Sequence, residues 1–231
     1  MPRKRSERPC FRNMSVKQPY VLLVEGINDA IIFHELVKYL QLDHVQIVES
    51  KGKDNVSNTL AKIAKNTMDF RQQRVMSVGV VGDADEDEDM ARSDICVALH
   101  SVGLSSDPDE LRLVPGKPNA SILILPGNKE RGALEPVCLD SVQDDPLMPC
   151  VEKFSNCVGK EWREQLKKKE GESDPLVARL DKMRVHAFLA TRYDNPEFRL
   201  GEAAEADIWP FEHEAFMGIK AFLTQLCGEI K

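Results

Sequence analysis

Two stretches decide how this chain folds: Val21-Leu22-Leu23-Val24-Glu25-Gly26-Ile27-Asn28-Asp29 and Val78-Gly79-Val80-Val81-Gly82-Asp83-Ala84-Asp85. Each is an apolar run that breaks into carboxylates. A short run of Val and Leu ended by Gly reads as a buried strand. In a parallel sheet the polar ends of such strands are where ligands bind, because loops and helix starts meet there. Glu25, Asp83 and Asp85 are therefore expected on one rim. Gly26 permits a tight turn from strand to helix, and Asp29 follows Glu25 by four residues, where that helix should begin. If the second strand continues through Asp83-Ala84-Asp85, alternation sends both carboxylates the same way, with only Ala84 between them.

Carboxylates gathered in this way repel. Two of them about 4 Å apart cost ~4 kcal/mol at an effective dielectric of 20. A fold tolerates that when a cation lies between them or a proton is taken up. Ligands that are all oxygen suit Mg²⁺ or Mn²⁺. Taken singly, each stretch has a plainer meaning: Glu25 marks a helix start and Asp83 opens a solvated loop. Taken together, at two strand ends, they point to a metal site.

Val-Glu-Gly with Asp29 four residues after the Glu, then an apolar strand ending Asp83-Ala84-Asp85, resembles the toprim domain over about residues 19 to 140. Topoisomerases, bacterial primases, recombination mediators, small ribonucleases and overcoming-lysogenization-defect (OLD) nucleases share that domain. Leu125-Pro126-Gly127-Asn128, followed by Gly132-Ala133-Leu134-Glu135, resembles the later acidic motif of the OLD type. Asp181-Lys182-Met183-Arg184-Val185-His186-Ala187 is similar to the tail of an uncharacterised bacterial toprim-like family. The resemblance implies a Rossmann-like sheet and a divalent metal, Mg²⁺ or Mn²⁺, bound by Glu25, Asp83 and Asp85. It implies that Asp29 positions a ligand or a metal-bound water, that Glu135 completes a second metal site, and that Lys182 neutralises phosphate charge. The activity implied is a Mg²⁺-dependent phosphodiester enzyme, a nuclease on DNA or RNA. Two alternatives stay open: a phosphatase with Asp83 as nucleophile, and a non-enzymatic toprim module that docks protein partners. A topoisomerase needs a tyrosine nucleophile, and Tyr20, Tyr39 and Tyr193 stand in no recognisable context.

The remaining pattern is α/β: strands separated by helices predict a parallel sheet of about four strands with flanking helices. Strands are expected at Tyr20–Val24, Val45–Val48, Val75–Val81 and Ser121–Leu125, with a further short one at Leu111–Val114. Residues 1–18 lack periodicity and read as a loose arm, 19–145 as the α/β core, and 146–231 as a C-terminal helical extension packed on it. Helices are expected at about Asn28–Tyr39 and Asp89–Leu99, and in the extension at Val151–Lys169, Leu176–Thr191 and Phe211–Cys227. Lys51-Gly52-Lys53 before a helix reads first as a plain strand-to-helix turn, and it also has the chemistry of a phosphate-binding turn. Arg131 and Lys129 carry the same two meanings on the loop before Glu135. An EF-hand loop beginning at Asp83 fails, since Glu88 stands where glycine is required. His34 is expected to be packed or exposed at the rim rather than a ligand, His186 to be packed rather than catalytic, and His213 is not part of a His-Glu-x-x-His motif.

Composition sets the outer bounds. The net charge is −7, and the window Asp83 to Asp94 holds seven acids against Arg92 alone, so the rest of the chain is near neutral. Basic patches at the N-terminus and at Lys160–Lys169 permit a nucleic-acid partner without requiring one. No apolar run approaches the ~20 residues that span a bilayer. Six scattered cysteines with no Cys-x-x-Cys, and no apolar signal core, lead to an expectation of reduced thiols in a cytoplasm. Oligomeric state is left open by the sequence.

Overall fold

Strand β1 (Tyr20–Val24) is flanked on one side by β2 (Val45–Glu49) and on the other by β3 (Ser77–Asp83), with β4 (Asn119–Leu125) outermost beside β3. All three pairings are parallel, so this is a four-stranded parallel sheet in the order β2-β1-β3-β4. The computed structural model describes residues 9–66, 75–104, 118–127, 131–166 and 176–228. The expected strand at Leu111–Val114 lies outside them.

The central strands are the most apolar because both their faces are covered. In β1, Val21 to Val24 are fully buried. Alternation then sorts them: Leu22 and Val24 join one core, Val21 and Leu23 the other. The first core is closed by α1 (Ile27–Tyr39) and by the C-terminal half of the chain. That half comprises α4 (Glu135–Asp140), α5 (Met148–Leu166), α6 (Val177–Ala190), α7 (Leu200–Glu205) and α8 (Met217–Leu226). The second core is closed by α2 (Val56–Asn66), through Val56, Leu60 and Ile63, and by α3 (Glu88–Ser101), through Ile95, Ala98 and Leu99. Phe188 stacks on Trp209 at 5.8 Å in the first core, and the Trp209 indole donates to the Leu200 carbonyl. All six cysteines are free thiols. No helix of the described residues is long and apolar enough to cross a membrane.

Three boundaries differ from the sequence expectation. The arm expected over residues 1–18 is docked in its described part. Phe11 and Val16 are buried in opposite cores, the Glu49 amide donates to the Phe11 carbonyl, and Arg12 Nε bonds Glu49 Oε2 at 2.9 Å. Strand β3 runs to Asp83 rather than Val81, because its ladder with β4 continues through Gly82↔Ile124 and Asp83↔Leu125. The expected helix Phe211–Cys227 begins late, with a 3₁₀ turn at Glu214–Phe216 where His213 Nδ1 accepts from the Ala215 amide. Helix α7 was not anticipated: six residues are too few for apolar periodicity to register.

Gly79 is where the helical layer meets the sheet. A Cβ there would lie 3.0 Å from Phe222 and 3.1 Å from Leu22. Gly79→Val should therefore force apart α8 and β3, lowering stability by about 1–3 kcal/mol in chemical denaturation. An unchanged midpoint would show that α8 is not packed against the sheet in this way.

Candidate functional site

The strand order creates the site. Strands β2 and β3 lie on opposite sides of β1, so the connections leaving the carboxyl ends of β1 and β3 diverge and open a crevice between them. Glu25 follows β1 directly, and Asp83 is the last residue of β3. The two touch: the Asp83 amide donates to Glu25 Oε1 at 3.1 Å. Gly82 makes room for that contact, since a Cβ there would stand 2.7 Å from Ile95 and 3.5 Å from Glu25 Oε1.

Helix α1 starts beside this pair. Asp29 Oδ2 accepts the Gly26 amide at 2.9 Å, the carboxylate half of a capping box. Asp83 has the strand parity of Gly79 and Val81, the face that α1 and the C-terminal helices cover. Glu25 has the parity of Val21 and Leu23, the face of α2 and α3. There a cleft of about 390 Å³ opens, lined by Glu25, Asp83, Asp85 and Lys53 and by apolar Val56, Met90 and Ile95.

Asp85 does not follow the strand. The alternation expected to align it with Asp83 ends at Asp83, and Asp85 takes φ +48°. Aspartate tolerates this left-handed conformation better than most residues. Two backbone hydrogen bonds, both 2.9 Å, pair Asp85 with Gly132 on the loop before α4. The Asp85 carboxylate meets the Lys53 ammonium. Arg131, offered by the sequence as a phosphate contact, instead pairs with Glu86 at 3.3 Å. Lys129 and Asn128 lie outside the described residues.

Burial and mutual repulsion raise these acids together. Asp83 is pushed up to about 9, first by burial and then by Asp29, Glu25, Glu135 and Asp85. Burial lifts Asp29 to about 6, against the pull of its Gly26 hydrogen bond, with Glu25 and Glu135 adding to the rise and Lys182 opposing it. Glu25 is raised by burial, the Asp83 amide opposing. Glu135 is raised by burial, offset in part by its own backbone amide and by Lys182. The five carboxylates of Glu25, Asp29, Asp83, Asp85 and Glu135 thus form one interacting set, with Lys182 acting on two of them from the exposed side of α6. Among the described residues, however, no three His, Cys, Asp or Glu side chains converge as ligands of one cation.

Two participants escaped the sequence. Lys53 was noticed for its turn and not for Asp85, which is 32 residues away in the chain. Gly132 carried no sign of its backbone pairing with Asp85. No local spacing could reveal either contact, because both cross between loops that only the sheet brings together.

The chain belongs to DUF3226, a family described as "Protein of unknown function", whose profile matches residues 19–228 and so includes every carboxylate of the rim and Lys182. No curated protein and no solved structure matches the chain.

The raised carboxyls fix the sign of a pH effect. Asp29 and Asp83 would titrate near 3.8 when unfolded, but near 6 and 9 in the fold. Between those limits the folded state holds more protons, so stability falls as pH rises. The contribution is complete below about pH 4 and is lost through about 6 for Asp29 and about 9 for Asp83. Melting temperatures in EDTA should therefore decline from pH 5 to 9, and Asp83→Asn should flatten the upper part of that decline. Parallel slopes for the two proteins would remove Asp83 as the cause.

Proposed function

We propose that the rim is a divalent-metal centre for phosphodiester cleavage of the toprim type, acting on nucleic acid. One observation carries the proposal: carboxylates from the ends of β1 and β3 and the starts of α1 and α4 act on one another, and burial raises those of Glu25, Asp29, Asp83 and Glu135. Such a set gains from either protons or a cation. Its donors are all oxygen and anionic, which suits Mg²⁺ or Mn²⁺ and disfavours softer metals. Glu25, Asp83 and Asp85 would hold the ion, with Asp29 orienting it and Glu135 serving a second. When bound, the metal supplies Lewis-acid polarisation of a phosphoryl oxygen and a more acidic water.

The chain's own residues do the rest. Glu25 keeps its carboxylate across the strand ends through the Asp83 amide. Asp29 is fixed in orientation by the Gly26 amide. Lys182 lies where positive charge already acts on Asp29 and Glu135, a position from which an ammonium would stabilise charge developing on a phosphate. Glu86, Asp87 and Asp94 also line the cleft, so without a cation it repels polyanions. Nucleic-acid binding is accordingly metal-dependent.

Mg²⁺ at ten times its dissociation constant should add about 1.4 kcal/mol of stability by mass action, and Asp83→Asn should lose most of that gain. With Mg²⁺ or Mn²⁺ the protein should nick or cut nucleic acid, and Glu25→Ala and Asp83→Ala should abolish cutting while remaining folded. Glu135→Ala should do so only if two metals are needed. Lys182→Ala should lower kcat more than it weakens substrate binding. Glu197→Ala, an exposed change outside the cleft, is the control. Good Mn²⁺ affinity beside intact DNA and RNA would count against general nuclease activity. Absence of both a Mg²⁺-dependent melting shift and calorimetric binding would favour the docking module.

A further inference from the structure

Every described phenylalanine but one is buried. The exception is Phe154, 51% exposed on the outward face of α5. Leu147 is 41% exposed, and Cys150 and Cys157 are exposed free thiols. The Leu147 carbonyl accepts the Cys150 and Val151 amides at 3.0 and 3.3 Å, so Leu147 already follows the helical path. Leu147, Cys150, Phe154 and Cys157 are thus spaced by three, four and three. That is the spacing of a seam that one helix presents to another. The inward side of α5 is occupied within the chain: Met148, Val151 and Ser155 are buried, and Gly159 lies against Leu180 of α6.

Charge along the chain indicates what covers the seam. Just before α5, residues 140–146 hold Asp140, Asp144 and Asp145 and no base. Towards its other end, residues 160–169 hold five bases against Glu161 and Glu164. In the chain, the apolar seam therefore separates an acidic patch from a basic one. Asp145 is engaged by Arg192, but Asp140 and Asp144 are exposed. Lys160 meets Glu164 at 3.9 Å, an exposed pair that contributes little. A helix with one acidic and one basic end complements itself when turned end for end. Two copies in parallel would set like charge on like, whereas antiparallel copies set Asp144 by Lys160 and oppose the helix dipoles. The apolar residues agree. With Cys150 opposite Phe154 and Leu147 opposite Cys157, each large side chain faces a small one, twice over, about one two-fold axis. Asp144 with Lys160 belongs to the same register, since all three pairs are centred on position 152 of the chain.

We infer that the outward face of α5 is a homodimer interface: α5 pairs antiparallel with α5 of a second copy, through Cys150–Phe154 contacts at the centre and Asp144–Lys160 pairs at the ends. The seam spans about 15 Å of helix. A patch of that length falls below the ~800 Å² per partner of a stable interface, so the dimer dissociates at micromolar concentration. Helix α5 closes the first core, whereas the cleft opens on the α2 and α3 face, so the pairing leaves the cleft of each copy accessible. It does not depend on a metal.

Sedimentation velocity on the full chain, in reducing buffer so that no thiol cross-links, tests the pairing. The wild type should pass from monomer to dimer with a dissociation constant on the order of 10 µM. Phe154→Glu should weaken association at least about tenfold, and Phe154→Leu should stay within about threefold of the wild type. Asp144→Lys and Lys160→Glu should each weaken it several-fold. The double swap should recover most of that loss, because the pairs re-form with their signs exchanged. Circular dichroism melts check that each variant is folded. A wild type still monomeric at about 200 µM overturns the proposal and leaves the seam to a partner of other sequence. A dimer indifferent to Phe154→Glu puts the interface elsewhere and overturns it as well. Loss with Phe154→Glu but no recovery in the double swap overturns the antiparallel register.

Discussion

A carboxylate at the end of a strand buried on both faces cannot hold its charge cheaply. Asp83 is in that position, with a wall of Val and Leu behind it and other acids ahead. Desolvation penalises the anion, and each neighbouring acid adds repulsion. The surroundings of Asp83 follow from this constraint. Gly82 yields space, Glu25 takes the Asp83 amide rather than its carboxylate, and Asp29 spends its own hydrogen-bonding capacity on Gly26. No cation among the described residues neutralises Asp83 directly. The arrangement therefore stores a demand for positive charge at the one place where the strand order opens the sheet.

The two faces of the sheet meet that demand differently. On the α1 side, Asp29 and Glu135 are enclosed by helices, and Cys138, fully buried behind them, has its thiol pushed well above the ordinary range by the same burial. On the α2 and α3 side the cleft is open, and its acids remain in contact with water. One side of the rim is thus a packed wall that fixes geometry, and the other is an entrance. Arg184, bonded to both Glu152 and Asp181, braces the packed side by tying α5 to α6 near Lys182.

The sheet was legible because β1 and β3 are buried on both faces, which leaves uninterrupted apolar runs that no surface strand could carry. The four main strands fall where the apolar runs stand, and Glu25, Asp29, Asp83 and Glu135 fall at element ends as the turn residues Gly26 and Gly132 suggest. Asp85 was misread because strand alternation cannot announce its own end; the change to positive φ depends on a partner, Gly132, from another loop. Lys53 was unreadable for the same reason. Phe11 and Val16 looked like parts of a tail because single buried residues have no period. Local chemistry was visible in the residues, whereas contacts between loops were set by topology.

Gly201 bears on how this protein could have been assembled. A Cβ at that position would lie 3.0 Å from Ile31 and 3.1 Å from the Asn28 carbonyl, so α7 rests directly on the first turn of α1. The Gly201 amide also points to Asn28 Oδ1, at 3.4 Å. Asn28 is the immediate neighbour of Asp29. A segment late in the chain thereby sets the backbone that aims an acid near its beginning. The helical half is not a detachable module that recombination could exchange for another while leaving the rim intact. A larger side chain at that crossing would push α7 off the first turn of α1 and disturb the backbone beside Asp29.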